Sequence, residues 1–97
     1  MSENNKTIQL WECETADDLR QLPENMQQAI NKLYLYVCGR RDVLKDDPGM
    51  ILNDQRHGYL SENNSRGGSV LWYMDDARSV CIRLDTLQII TDYEPED

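Results

Sequence analysis

The fold is decided by residues 15–39, which read TADDLRQLPENMQQAINKLYLYVCG. Apolar side chains recur in this stretch at spacings of 3, 4, 4, 3 and 4 residues, at Leu19, Leu22, Met26, Ile30, Leu33 and Val37. At about 100° of rotation per residue, these positions fall on one narrow stripe. The stretch therefore predicts an amphipathic helix that buries this stripe.

Both ends of the helical stretch carry sequence signals. Thr15 lies three residues before Asp18, which is a variant of the N-terminal capping arrangement and predicts a helix start near Ala16. Pro23 predicts a short helix followed by a second one that opens with the proline in its first turn, because proline costs about 3 kcal/mol in a helix interior. Gly39 is the expected C-terminal cap of the second helix.

The segments on either side predict extended or irregular structure. Residues 6–14 mix apolar and polar side chains without a helix breaker and predict a strand. The Asp-Pro-Gly sequence at 47–49 predicts a turn, since proline presets one backbone angle and glycine supplies a positive one. Residues 50–52 and 59–60 predict short strands, and the polar run at 61–68 predicts a loop.

A hairpin between residues 70–74 and 79–84 is the second strong pattern, and Asp75-Asp76-Ala77-Arg78 joins its strands. In the expected register, position 72 faces position 81, and position 71 faces position 82. Alternation then places on one face Leu71, Tyr73, Val80, Ile82 and Leu84. The other face carries Val70, Trp72, Met74, Cys81 and Arg83. A last strand is predicted at residues 87–90.

These elements predict an α+β fold, with an antiparallel sheet of three to five strands. One main amphipathic helix, with a short helix before it, packs on one face of the sheet. The length predicts a single compact domain over residues 1–97, with a short disordered N-terminus and an acidic C-terminal tail. The chain has no apolar run near the roughly 20 residues of a membrane span and no secretion signal at its start, so we expect a cytoplasmic protein.

Charge is unevenly distributed along this chain of net charge −8. Residues 1–24 hold six acids and two bases, residues 25–45 hold one acid and four bases, and residues 46–97 hold eleven acids and four bases. Such a negative field repels nucleic acid and anionic lipid, so we expect direct binding to neither. The simpler alternative is that the surplus charge only keeps the molecule dissolved.

The residue types that serve in catalysis form no recognisable motif here. Cys13, Cys38 and Cys81 include no Cys-x-x-Cys unit, and the single histidine, His57, cannot complete an ordinary Cys/His zinc finger. Nothing in the sequence places a thiol beside His57 as a nucleophile and base would require. Neighbouring acids at 17–18, 46–47 and 75–76 are explained by a helix start or a turn. We therefore expect no enzymatic activity, no metal and no cofactor.

Partner binding is the function that the charged and aromatic residues favour. Trp72 on the outer sheet face is a candidate aromatic anchor, unless a loop or the first strand covers that face. Glu12 and Glu14 would lie on one side of the predicted strand, about 6.5 to 7 Å apart. The remaining carboxylates of the predicted docking patch are Asp17, Asp18, Asp75, Asp76, Asp85, Asp92 and Glu94. Carboxylates in such an array can resemble nucleic-acid phosphates and occupy a basic groove, with fast and salt-sensitive binding.

In its size, charge, α+β class and lack of catalytic motifs, the chain resembles small acidic inhibitors encoded by phages and other mobile elements, including anti-restriction and anti-CRISPR proteins. The resemblance includes no diagnostic motif and assigns no residue. It implies a non-enzymatic protein of the host cytoplasm that binds a basic nucleic-acid-handling complex and blocks its nucleic-acid site, with DNA mimicry as one way of doing so. The alternatives are an immunity protein or antitoxin that neutralises a cationic toxin such as a nuclease, and a small homodimeric scaffold.

Overall fold

The computed structural model describes residues 9–63, 69–75 and 79–91. The helices in these ranges are a 3-10 helix at Leu10–Glu12, then α1 Ala16–Arg20, α2 Glu24–Cys38, α3 Val43–Asp46 and α4 Pro48–Arg56. The strands are β1 Leu60–Asn63, β2 Val70–Met74, β3 Ser79–Arg83 and β4 Ile89–Thr91. They form one antiparallel sheet in the order β1-β2-β3-β4, and the predicted α+β class is confirmed. The predicted disordered N-terminus and acidic tail lie outside the described residues.

The helix signals of residues 15–39 are confirmed. The Asp18 N–H donates to the Thr15 hydroxyl at 3.3 Å, and the Thr15 N–H donates to the Asp18 carboxylate at 3.2 Å, so each residue caps the other at the start of α1. Pro23 is the N-cap of α2 and stands one residue before the position predicted for it. Gly39 ends α2 in the left-handed region with φ 74°, which glycine adopts without a steric penalty.

The hairpin register is also confirmed, with Leu71 opposite Ile82 and Trp72 opposite Cys81. Helix α2 packs on β2 and β3, and its buried stripe is wider than predicted because Ala29 and Tyr34 join it. The main core contains, from the sheet, Leu60, Leu71, Tyr73, Val80 and Ile82. The alternation of the two strands therefore separates the faces as expected, and the helices cover the face predicted for them.

The structure corrects the prediction in three segments. In place of a strand, residues 10–12 form a 3-10 helix. In place of the turn at 47–49 and the strand at 50–52, the chain enters α4, because the Asp47 carboxylate accepts the Met50 N–H at 3.3 Å and Pro48 occupies the first turn. Residues 61–63 belong to β1, whereas a loop was predicted for 61–68; residues 64–68 lie outside the described residues.

A buried hydrogen bond joins α2 to α4. The Tyr34 hydroxyl donates to the Asp54 carboxylate at 2.6 Å, and Asp54 is the buried charged residue of the described core. The Tyr73 ring of β2 meets the Tyr34 ring edge-on, with 5.8 Å between centroids. Burial, reinforced by the hydrogen bond to Asp54, raises the pKa of Tyr34 far above its ordinary value, so this hydroxyl remains a donor at every physiological pH.

Replacing Tyr34 by Phe tests how much this bond stabilises the fold. The variant leaves the Asp54 carboxylate buried without its donor, so we expect the free energy of unfolding to fall by about 1–3 kcal/mol in urea titrations. Tyr36→Phe is the matched control, because Tyr36 lies on the same helix with 52% of its surface exposed. The control should change the free energy by less than about 0.5 kcal/mol. Equal losses in the two variants would contradict a structural role for the bond.

Candidate functional site

The most exposed large apolar side chain in the described part of the molecule is Trp11, at 64% of its surface. Leu10 directly before it and Cys13 two residues after it are both buried in the main core, and they hold the 3-10 helix in place. The Gln9 N–H donates to the Glu12 carboxylate at 2.8 Å, which closes the turn. Trp11 is therefore held outward by an anchored and capped turn.

Two adjoining pockets flank Trp11. The first, of about 400 Å³, is lined by Trp11, Cys13, Glu14, Leu52, Gln55 and Arg56. The second, of about 240 Å³, is lined by Leu10, Trp11, Gln55, Gly58, Leu60, Ser61 and Glu62. Because Trp11 and Gln55 line both, the two pockets form one surface that joins the 3-10 helix, the end of α4 and the start of β1. We call these two sets of lining residues together the Trp11 surface.

A second aromatic group borders the Trp11 surface. The rings of His57 and Tyr59 stack with 5.8 Å between centroids, and the His57 Nδ1 lies 2.9 Å from the Asn53 carbonyl. The Met74 N–H donates to the Tyr59 carbonyl at 2.8 Å, which brings another exposed apolar side chain to this edge of the sheet. Aromatic residues and methionine are enriched in protein interfaces, so the composition here is typical of a docking surface.

The carboxylates of the predicted docking patch are distributed over several parts of the fold. The Arg20 guanidinium pairs with Asp17 at 3.0 Å, and Asp18 caps α1. The Asp75 carboxylate accepts from the Tyr73 hydroxyl at 3.1 Å at the end of β2. Asp85 lies in the turn between β3 and β4. Asp76, Asp92 and Glu94 lie outside the described residues.

Asp85 is neutralised locally by an arginine. The Arg83 side chain donates to both Asp85 oxygens at 3.0 and 2.9 Å, and this hydrogen bonding to the guanidinium lowers the pKa of the carboxyl. A carboxylate already paired in this way attracts a cationic partner less strongly. Glu12 and Glu14 remain exposed next to Trp11, but the expected strand spacing between them is wrong because the chain turns there.

Trp72 is not an exposed anchor, and the structure corrects this part of the predicted site. Only 8% of its surface is accessible, and it clusters with Val70 and Cys81, which are also buried. The sequence left open whether this face was covered, and the side chain is buried. The exposed tryptophan is Trp11, which sequence reasoning placed in a strand and did not single out.

Glu62 is a second group that sequence reasoning missed. It stands opposite Leu71 on the sheet face that carries the core, two residues after the buried Leu60. Its buried Oε1 atom has no hydrogen-bond partner among the described residues, and the same is true of Gln55 Oε1. Alternation from Leu60 is the sequence signal that would have found Glu62, but the polar run from residue 61 onward predicted a loop.

Two of the three cysteines, Cys13 and Cys81, are buried. Burial, with the nearby Asp18 and Glu12 charges, raises the pKa of the Cys13 thiol to about 11, and burial also raises the pKa of Cys81. Both thiols are therefore protonated at neutral pH. Cys38 and His57 are exposed. Within residues 9–63, 69–75 and 79–91, no three His, Cys, Asp or Glu side chains are grouped to hold a metal ion.

Comparison with protein-family models, with curated proteins and with solved structures finds no significant match to this chain. In the described ranges, every helix falls short of the length and apolar character that crossing a bilayer requires. The proposal for function therefore rests on the geometry and charge of the Trp11 surface.

Glu62→Gln tests the buried carboxylate through the pH dependence of stability. Burial raises the pKa of Glu62 above its ordinary 4.5, so the folded state takes up the proton more readily than the unfolded state. Stability is then fully kept below the ordinary pKa and is lost as pH rises through the raised value. We expect Glu62→Gln to unfold at higher urea concentration than the wild type at pH 7, and the gap to close towards pH 4.

Glu14→Gln is the control for this measurement, because Glu14 is exposed at the surface. Its difference from the wild type should stay small across the same pH range. A Glu62→Gln variant whose stability runs parallel to the wild type from pH 4 to pH 7 would show that the carboxylate is not desolvated.

Proposed function

We propose that the protein is a non-enzymatic inhibitor that binds a basic nucleic-acid-handling protein through the Trp11 surface and blocks access to its nucleic-acid site. This is the mode of action of anti-restriction and anti-CRISPR proteins, and it would place the protein in the cytoplasm where such complexes work. The observation that carries the proposal is the 64% exposure of Trp11 on a short 3-10 helix that the burial of Leu10 and Cys13 holds in place.

The energetics of Trp11 support a docking role. A tryptophan buries about 150–250 Å² in all, so the 64% of Trp11 that is exposed would add about 100–160 Å², or roughly 2.5–4 kcal/mol at about 25 cal/mol per Å² before the costs of association. Tryptophan is also among the residues that most often dominate a binding interface. An exposed tryptophan on a turn with fixed ends loses little conformational entropy on binding, because its backbone is already ordered.

The charge supports the choice of a cationic partner. An internal ion pair, such as that of Asp17 with Arg20, cancels charge locally and leaves the net charge of −8 unchanged. The net field still steers a positively charged protein towards this one. Glu12 and Glu14 add local negative charge beside the aromatic anchor. In this proposal Trp11 provides most of the affinity, and the negative charge speeds association. The carboxylates need not mimic the phosphate spacing of a DNA duplex.

Trp11→Ala tests the anchor. The protein is used as bait in the native host, and the captured protein is purified and titrated with the wild type and the variant by calorimetry. We expect Trp11→Ala to weaken binding by at least about 2 kcal/mol, or roughly thirtyfold, while its thermal unfolding stays close to that of the wild type. Leu35→Ala is the control, because Leu35 is also an exposed apolar residue but lies on α2.

Two results would overturn this proposal. One is an equal affinity of Trp11→Ala and the wild type for the captured protein. The other is a captured protein whose nucleic-acid affinity, measured by mobility shift, does not fall when the wild type is added. A captured nuclease toxin whose activity is lost in the complex would identify the protein as an antitoxin, which is a different member of the same class of inhibitors.

Glu14→Lys tests the electrostatic part. Reversing this charge beside Trp11 should slow association several-fold in stopped-flow measurements at low salt, and the difference should shrink at high salt because exposed charges are screened. Asp46→Lys makes the same change in net charge at an exposed residue before the start of α4, whereas Trp11 lies beside the end of that helix. Equal slowing by both variants would show that only net charge matters.

A further inference from the structure

Two buried acceptors without donors line one pocket of the Trp11 surface. Gln55 on α4 and Glu62 on β1 both line the 240 Å³ pocket, and the buried Oε1 atom of each has no hydrogen-bond partner within residues 9–63, 69–75 and 79–91. Buried polar atoms are nearly always hydrogen-bonded, and leaving one unpaired costs free energy. Two such atoms at one pocket indicate a place where a donor from outside the described chain belongs.

We infer that this pocket binds the guanidinium group of an arginine side chain supplied by the partner protein. A carboxylate and an amide oxygen on different elements require at least two N–H donors, and a guanidinium presents five in one plane. Among the described residues that line the pocket, Glu62 is the charged one, and its charge is negative. That the arginine comes from a partner protein rests on the proposed function. That the pocket prefers a guanidinium group rests on its lining residues alone.

The remaining walls of the pocket also fit an arginine. Leu10 and Leu60 line it and offer apolar contact to the methylene stem of the side chain. Trp11 lines its mouth, and the face of an indole ring attracts a guanidinium through the cation–π interaction. Because Trp11 is largely exposed, its ring has room to turn over an incoming group. The volume is several times the roughly 30 Å³ of a water molecule, so a guanidinium can be accommodated.

Binding of an arginine would remove the unfavourable desolvation of Glu62. The free protein holds this carboxylate oxygen away from water without a partner, and a guanidinium supplies both a charge and a hydrogen bond. Lysine carries the same charge but only three donors around one point, so it satisfies acceptors on two elements less well. The geometry therefore favours arginine over lysine.

The test uses the isolated protein and a small probe, N-acetyl-arginine methylamide, titrated while the indole N–H signals of Trp11 and Trp72 are followed by NMR. We expect a saturable shift of the Trp11 signal, with the buried Trp72 signal as the internal reference. The citrulline analogue, which has the same shape without the charge, should bind at least tenfold more weakly. The lysine analogue should also bind more weakly than the arginine probe.

Variants separate the pocket from the general negative charge. Glu62→Gln and Gln55→Leu should each weaken arginine binding about tenfold, whereas Glu24→Gln, which removes an exposed charge on α2, should leave it unchanged. Equal binding of the arginine and citrulline probes, or of the wild type and both pocket variants, would overturn the inference. Either of these outcomes would leave unchanged the loss of partner affinity expected for Trp11→Ala. An arginine site on a protein that inhibits no partner would contradict only the proposed function.

Discussion

The hydrogen bond from the Tyr34 hydroxyl to the Asp54 carboxylate is the constraint on which the rest of the structure depends. It fixes α4 against α2 in the centre of the core, and Tyr73 packs edge-on to the same tyrosine from the sheet. The Asp54 carbonyl also accepts the Tyr59 N–H at 2.8 Å, so the same residue sets where the chain leaves α4 for β1. A buried carboxylate tolerates only the arrangement that supplies its donor, which makes this contact specific as well as stabilising.

The geometry of the Trp11 surface depends on the hydrogen bond between Tyr34 and Asp54. Gln55 follows Asp54 directly, so fixing the rotation of α4 about its axis also fixes the direction in which Gln55 projects. Glu62 enters the surface from β1, whose position follows from the turn at residues 57–59. The third side of the surface, Trp11, is set independently by burial of Leu10 and Cys13. The 3-10 helix thus meets the consecutive elements α4 and β1 because one polar pair and two buried apolar residues hold them.

The helices α1 and α2 and the β2–β3 hairpin were predictable because each carries a local signal, namely a 3.6-residue period, a capping pair or strict alternation. The start of α4 was not, since Asp47 and Pro48 serve a turn and a helix N-terminus equally well. What decides between them is the burial of Ile51 and the bond of Asp54 to Tyr34, a residue twenty positions away in the sequence. Such tertiary contacts are invisible to any local pattern.

The candidate site was predictable in its chemistry and much less in its position. The surplus of acids is visible in the sequence. Whether a given carboxylate is available to a partner depends on its neighbours in the fold, as with Asp85, which already accepts hydrogen bonds from Arg83. It also favoured Trp72 over Trp11, because alternation placed Trp72 on the outer face of the sheet, and alternation alone does not tell which outer faces are covered. For Trp11 the pattern predicted a strand, in which an exposed tryptophan next to the buried Leu10 is unremarkable.

Glu62 places a carboxylate on the core-facing side of β1, where burial disfavours its charged form. An inward-facing charge on an edge strand opposes pairing with other strands, and β1 lies at an edge of the described sheet. That account explains a charge at this position but not the second unpartnered oxygen, Gln55 Oε1, which belongs to the helix α4. Protecting the sheet edge from pairing with other strands requires only the Glu62 carboxylate. A hydrogen-bond donor in the shared pocket would satisfy both Glu62 Oε1 and Gln55 Oε1. The presence of both acceptors at one pocket, more than the charge of either, therefore favours a binding site over a charge that only protects the sheet edge.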